Sequence, residues 1–130
     1  MSDFKQITTH ISQNLPELAK HIPDVMKNFS NLVSSGSQDG ALDKKTKELI
    51  AIGIAVANRC DGCIGFHTKI LVDLGVTEQE LAEALGVAIF MGGGPSAMYA
   101  AETMSAYKQF KYINVVSEPT GSETTKLIAI

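Results

Sequence analysis

The stretch DKKTKELIAIGIAVANRCDGCIGFHTKILVDLG, Asp43 to Gly75, reads as two consecutive helices with a cysteine pair at their junction. Asp43 is an N-cap residue type, and the helix behind it runs to about Asn58. Its middle, LIAIGIAVA, is apolar on every side, as a buried helix is. The next helix begins near Cys60 and ends at Gly75, a residue suited to the left-handed position that closes a helix.

Downstream, Thr77-Glu78-Gln79-Glu80 has the spacing of a capping box and opens a further helix, which stops at Gly92, Gly93 and Gly94. Pro95 is placed to start the last one, through about Tyr112. Upstream, PELAKHIPDVMKNFSNLVSS is helical, with Pro16 at a first helical position, Pro23 interrupting or restarting the helix and Gly36 as a cap. The segment Ser35 to Gly40 is a loop by composition. These signals predict an all-α helical bundle of five to six helices, one domain over residues 1–130 with a helical core over about 15–112. From 113 to 130 the chain is rich in β-branched residues and holds a Pro119-Thr-Gly121 turn, so a non-helical tail is expected, held by a neighbouring subunit.

The chain has 130 residues, the size of one ordinary domain. With 45% hydrophobic and only 19% charged residues, it has a thin charged coat, which points to a homo-oligomer. Small residues along the last two helices (Ala84, Gly86, Ala88, Ala97, Ala100) suit either an intrachain core or a subunit interface. A net charge of −3, with no run of Lys and Arg, excludes the footprint of a nucleic-acid binder. The longest apolar stretch, Leu49 to Ala57, is too short for a bilayer, and MSDFKQITTH lacks the apolar region of a secretory signal. A cytoplasmic protein is expected. In that compartment a C-x-x-C pair reads as redox or metal chemistry.

Cys60 and Cys63 stand at i and i+3, with Cβ atoms about 5–6 Å apart on a helix. A disulfide needs about 4 Å, and a local adjustment at the helix start, eased by Gly62, closes the gap. Both cysteines are expected in the first turn of this helix, where a thiolate is stabilised by the helix dipole, an effect that Arg59 reinforces and Asp61 opposes. His67 lies four residues after Cys63, on the same face. An imidazole there can take the thiol proton or return it to a leaving alkoxide. Zinc is the competing reading, but beyond these three ligands the chain offers only His10, His21 and carboxylates for a fourth.

Glu48 complements the helix start or serves the site. It shares a stripe with Ile52, Ala55 and Val56, where a partly buried carboxylate is suited to relaying protons. It lies 12 residues before Cys60, about 18 Å along a helix, and cannot touch that residue directly. With the next helix folded back antiparallel, a Glu48–water–His67–Cys63 relay becomes the economical arrangement. Phe66, Ile64 and Met91 are candidates to line a pocket, though such residues are more often core.

Glu48, Cys60, Cys63 and His67 together form E-x11-C-x2-C-x3-H. With Met91-Gly-Gly-Gly-Pro95 and Tyr99-Ala-Ala-Glu102, this resembles the alkylhydroperoxidase D-like branch of the carboxymuconolactone decarboxylase family over about residues 15 to 110. The resemblance implies an all-α fold assembled as trimers or hexamers, and a peroxidase with antioxidant function whose electrons come from the two thiols. It implies no bound metal or organic cofactor, and as partners a peroxide substrate and a dithiol reductant. By position it implies that Cys63 is peroxidatic, Cys60 resolving, and His67 with Glu48 the proton relay. Better-characterised members carry a second His where this chain has Gly62. The alternatives are a thiol–disulfide oxidoreductase or redox sensor on the same cysteines, lactone chemistry as in the decarboxylating branch, which usually lacks the dithiol, or a scaffold with passive cysteines.

Overall fold

The structure is a computed structural model that describes residues 2–116, with side chains through 112. Six helices follow one another, with no strand among the described residues: α1 (Phe4–His21), α2 (Pro23–Gly36), α3 (Lys44–Ala57), α4 (Asp61–Asp73), α5 (Glu78–Gly92) and α6 (Gly94–Val116). The expected all-α bundle is what forms. The stretch 117–130, for which a turn and a subunit contact were expected, lies outside the described residues.

Local signals place most boundaries. Asp43 accepts the Thr46 N–H at 2.7 Å and starts α3. Thr77 and Glu80 exchange both capping-box hydrogen bonds at 3.0 Å and start α5. Gly93, at φ 77°, ends α5 in a conformation open to glycine at no steric cost.

Three expectations need correction. The first helix begins at Phe4, not near Leu15, because Asp3 caps it by accepting the Gln6 N–H at 3.0 Å and because Phe4 is wholly buried. Pro16 therefore sits inside α1, where it withholds a backbone N–H, and not at a first turn; Pro23 takes that role in α2. The last helix continues four residues beyond Tyr112, to Val116.

Helix α3 packs on α4, α5 and α6, α6 packs on α4 and α5 in turn, and α1 lies across α4 and α6. Phe4, Ile52, Val56, Ile64, Leu71 and Leu81 form the centre of the core. Each such side chain contributes about 1.5–3 kcal/mol by leaving water. Tyr107, also buried, donates its hydroxyl to the Val76 carbonyl at 3.1 Å, so its polar tip is satisfied. Gln109 clasps the start of α1 to α6: its Oε1 accepts the Phe4 N–H at 2.8 Å and its Nε2 donates to the Ser2 carbonyl at 3.0 Å. Of the small residues in α5 and α6, Ala88 and Ala100 are in the core, while Gly86 and Ala101 are exposed. Ile64 and Phe66 are core residues, and Met91 is exposed.

Candidate active site

The site is built where α3 turns into α4. Asn58 closes α3, and Arg59 follows in the left-handed region at φ 56°. The Arg59 N–H donates to the Val56 carbonyl and the Cys60 N–H to the Ala55 carbonyl, both at 3.1 Å. This is the Schellman arrangement, here with an arginine where glycine is usual. It delivers Cys60 to the N-cap of α4, so Cys60 stands just outside the helix and Cys63 is its third residue. The expectation that both cysteines lie within the first turn is corrected accordingly. An extended Cys60 is what brings the two side chains closer than two helical neighbours would be.

The Cys60 sulfur accepts the Cys63 N–H at 3.2 Å, in the manner of a capping side chain. Cys60 and Cys63 form a disulfide with Cα atoms 5.2 Å apart, within the ordinary range. Both residues are half-buried, neither sealed in the core nor fully open to solvent. On reduction, the helix N-terminus and its N–H donors favour a thiolate at this position.

Helix α4 folds back along α3 and brings His67 to Glu48. The His67 Nδ1–H donates to Glu48 Oε2 at 2.6 Å. The direct bond replaces the expected bridging water. The Glu48 side chain is only 6% exposed and that of His67 15%. Glu48 is the fifth residue of α3 rather than part of its first turn, and it lies on the buried stripe with Ile52, Ala55 and Val56. A carboxylate on Nδ1 fixes the ring's orientation and leaves Nε2 as the nitrogen that can exchange a proton. His67 is one helical turn beyond Cys63 on α4. The four sequence-derived residues thus fall into one region, as two bonded pairs: Cys60 with Cys63, and Glu48 with His67.

Sequence reasoning missed the contribution of α1. Gly62 and Gly65, one turn apart, give α4 a flat strip on which α1 rests. A Cβ at Gly62 would come within 2.7 Å of Ile11 Cδ1, and one at Gly65 within 2.6 Å of Thr8 Cγ2. The spacing of these two glycines was the signal. Among the described residues, no group of three or more His, Cys, Asp or Glu side chains is arranged to hold a metal ion, and no helix is long and apolar enough to cross a membrane.

Residues 23–106 match the sequence profile of the carboxymuconolactone decarboxylase family. A solved structure of a carboxymuconolactone decarboxylase family protein from Legionella pneumophila superposes with a TM-score of 0.81 at 53% identity, covering 83% of this chain and 96% of that one. Another from Thermotoga maritima, for which involvement in an antioxidative response has been suggested, gives a TM-score of 0.77 at 27% identity, covering 88% and 97%. Alkyl hydroperoxide reductase AhpD of Mycobacteroides abscessus is 33% identical over 57 residues, 44% of this chain and 33% of that one.

Proposed function

Because the chain belongs to the carboxymuconolactone decarboxylase family, in its alkylhydroperoxidase D-like branch, we propose that it is a dithiol-dependent hydroperoxide reductase with Cys63 as peroxidatic residue. The observation that carries this reading is the Glu48-anchored imidazole of His67 one turn from a cysteine pair that is bonded at a helix start. The partial likeness to an alkyl hydroperoxide reductase and the suggested antioxidative role of the Thermotoga protein support it.

In the proposed cycle, the Cys63 thiolate attacks the terminal oxygen of the hydroperoxide. The O–O bond breaks, Cys63 becomes a sulfenic acid, and His67 returns the proton it took from the Cys63 thiol, converting the departing alkoxide to an alcohol. The Cys60 sulfur then attacks the Cys63 sulfur, the S–O bond breaks, and water leaves as the disulfide forms. An external dithiol reduces that disulfide by exchange and returns both thiols. Glu48 acts through His67, holding the ring so that Nε2 is the proton-carrying nitrogen. The two electrons of each turnover come from that dithiol, and no further cofactor is invoked.

One observation favours a second reading. The Cys60 sulfur receives a helix N-terminal N–H, the environment of a disulfide-exchange nucleophile. A thiol–disulfide oxidoreductase would use the same pair without peroxide turnover. Peroxide consumption in the presence of a dithiol separates the two. The reductase reading expects turnover by the wild type, loss of it in Cys63→Ser, and a single sulfenic acid per chain in Cys60→Ser. Rapid disulfide exchange with no peroxide consumed would replace it with the oxidoreductase. The chain is further proposed to be one domain that works as a homo-oligomer, in keeping with its exposed apolar surface.

A further inference from the structure

The two residues between the cysteines, Asp61 and Gly62, occupy the first turn of α4, where backbone N–H groups have no partner within the helix. Asp61 is exposed, and Gly62 has no side chain with which to pack. What meets Gly62 from outside α4 is α1. A Cβ built there would come within 2.7 Å of Ile11 Cδ1, and apart from chain neighbours and the backbone of α4 no other described atom lies within 4 Å of that point. The middle of the redox turn is therefore held from outside by one side chain.

The core does not account for Ile11. Ile7, one turn earlier, packs on the buried cluster, whereas Ile11 does not join it and is only half-buried. Its position follows from the register of α1 on α4. Thr8 sits against Gly65 and Ile11 against Gly62, so α1 runs forward as α4 runs back. Gln109 fixes the other end of α1 by accepting the Phe4 N–H at 2.8 Å. Helix α1 thus carries Ile11 as a fixed stop against the turn.

We infer that Ile11 is a positioning residue for the dithiol: it keeps the Cys60–Cys63 turn in its disulfide-ready shape after the bond is reduced. The inference rests on the redox role proposed above for the pair. While the disulfide is closed, the bond itself fixes the turn. Once it is reduced, the holds left are the Cys63 N–H on the Cys60 sulfur and the contact of Ile11 with Gly62. Glycine has more backbone freedom than any other residue, so without Ile11 the reduced turn spreads over more conformations. A turn that is already ordered as the dithiol loses less on closing. That raises the effective concentration of one sulfur at the other and makes the disulfide harder to reduce.

The test is the equilibrium of the full chain with glutathione. In it the protein dithiol and glutathione disulfide give the protein disulfide and two glutathione thiols, and the free protein thiols are counted by alkylation and mass. Ile11→Ala is expected to shift this equilibrium about 3–10-fold towards the dithiol, a rise in potential of about 14–30 mV at about 30 mV per tenfold. Gln109→Ala removes the clasp at the far end of α1 and is the control. It is expected to lower the melting temperature of the oxidised and reduced chains alike and to leave the equilibrium unchanged. Should Ile11→Ala lose its cooperative melt, Ile11→Val, which removes only the Cδ1 methyl, is expected to give a shift of about 2–3-fold in the same direction. A folded Ile11 variant with the wild-type equilibrium, a shift towards the disulfide, or an equal shift in Gln109→Ala overturns the inference. The readout uses no peroxide. Peroxide turnover by the wild type with no shift in Ile11→Ala refutes the role of Ile11 alone, and a shift in a chain that consumes no peroxide refutes the reductase reading alone.

Discussion

His67 and Glu48, nineteen residues apart in sequence, meet through a hydrogen bond of 2.6 Å between Nδ1 and Oε2. The bond crosses from α4 to α3 at the inner side of both helices. It ties the orientation of one ring to the packing of the bundle itself. Replacing Glu48 by Gln keeps the volume and removes the charge. Peroxide turnover is expected to fall about 10–100-fold, the usual cost of losing the partner that orients a working imidazole. Oxidation of the Cys60–Cys63 pair by diamide is expected to proceed at the wild-type rate. Equal losses in both assays would mean that the variant is misfolded and that Glu48 has no positioning role.

Two helix ends carry the same hydrogen-bond pattern with different residues. Arg59 closes α3 at φ 56°, and Gly75 closes α4 at φ 77°. A side chain in this region costs about 1–2 kcal/mol, whereas glycine is free of that term but loses more chain entropy on folding. Arg59→Gly is therefore expected to stabilise the fold by about 0.5–1 kcal/mol, and Gly75→Ala to destabilise it by about 1 kcal/mol. Urea unfolding followed by circular dichroism measures both, and a lowered midpoint for Arg59→Gly would contradict this account.

The rest of α1 on α4 depends on Gly65. An added Cβ there would meet the Thr8 methyl at 2.6 Å, and Thr8 is a stiff, buried, β-branched residue. Gly65→Ala should cost about 1–3 kcal/mol as an overpacking change, despite the better helix propensity of alanine. Thr8→Ser removes the opposing methyl. In a double-mutant cycle the pair should couple, with the double variant more stable than Gly65→Ala alone. Additive effects would show that the two residues do not meet.

Lys45 and Glu80 join the starts of α3 and α5 at 2.7 Å. The hydrogen bond from Lys45 is the main reason that the Glu80 carboxyl lies below its ordinary range, and the same bond raises Lys45. A carboxylate depressed in the folded state adds stability above its unfolded value, about pH 4.3 for Glu, and loses it as pH falls through the folded value. Lys45→Met is thus expected to lower the melting temperature at pH 7 and to have little effect near pH 2. One molar salt should narrow the difference at pH 7, since the pair is exposed. A difference that persists at acid pH would point to lost packing.

Much of this was legible in the sequence because its strongest signals are local. The capping box at Thr77, the N-cap at Asp43 and the glycines after α5 act within a few residues, and the structure follows them. Glu48 declared itself by standing on a wholly apolar stripe. The start of α1 was legible only in part: Phe4, Ile7, Ile11, Leu15 and Leu18 repeat at helical spacing, but the residues that bury Phe4 and Thr8 lie more than fifty positions away and no local signal announces them. The N-cap position of Cys60 was missed for a different reason. It depends on a non-glycine residue, Arg59, entering the left-handed region, which residue type alone argues against. Water in the expected relay was an assumption about the distance between two helices, and no spacing rule fixes that distance.

The clasp of Gln109 on the first residues has a bearing on how the polypeptide is made. At about 5–20 residues per second, the ribosome needs roughly 5–20 s to travel from Phe4 to Gln109, whose side chain takes up the Phe4 N–H 105 positions earlier. Throughout that interval Phe4 has no home in a finished core. The nascent N-terminus must wait for the end of translation of the fold that receives it, and it is in this window that a holding chaperone would find its grip.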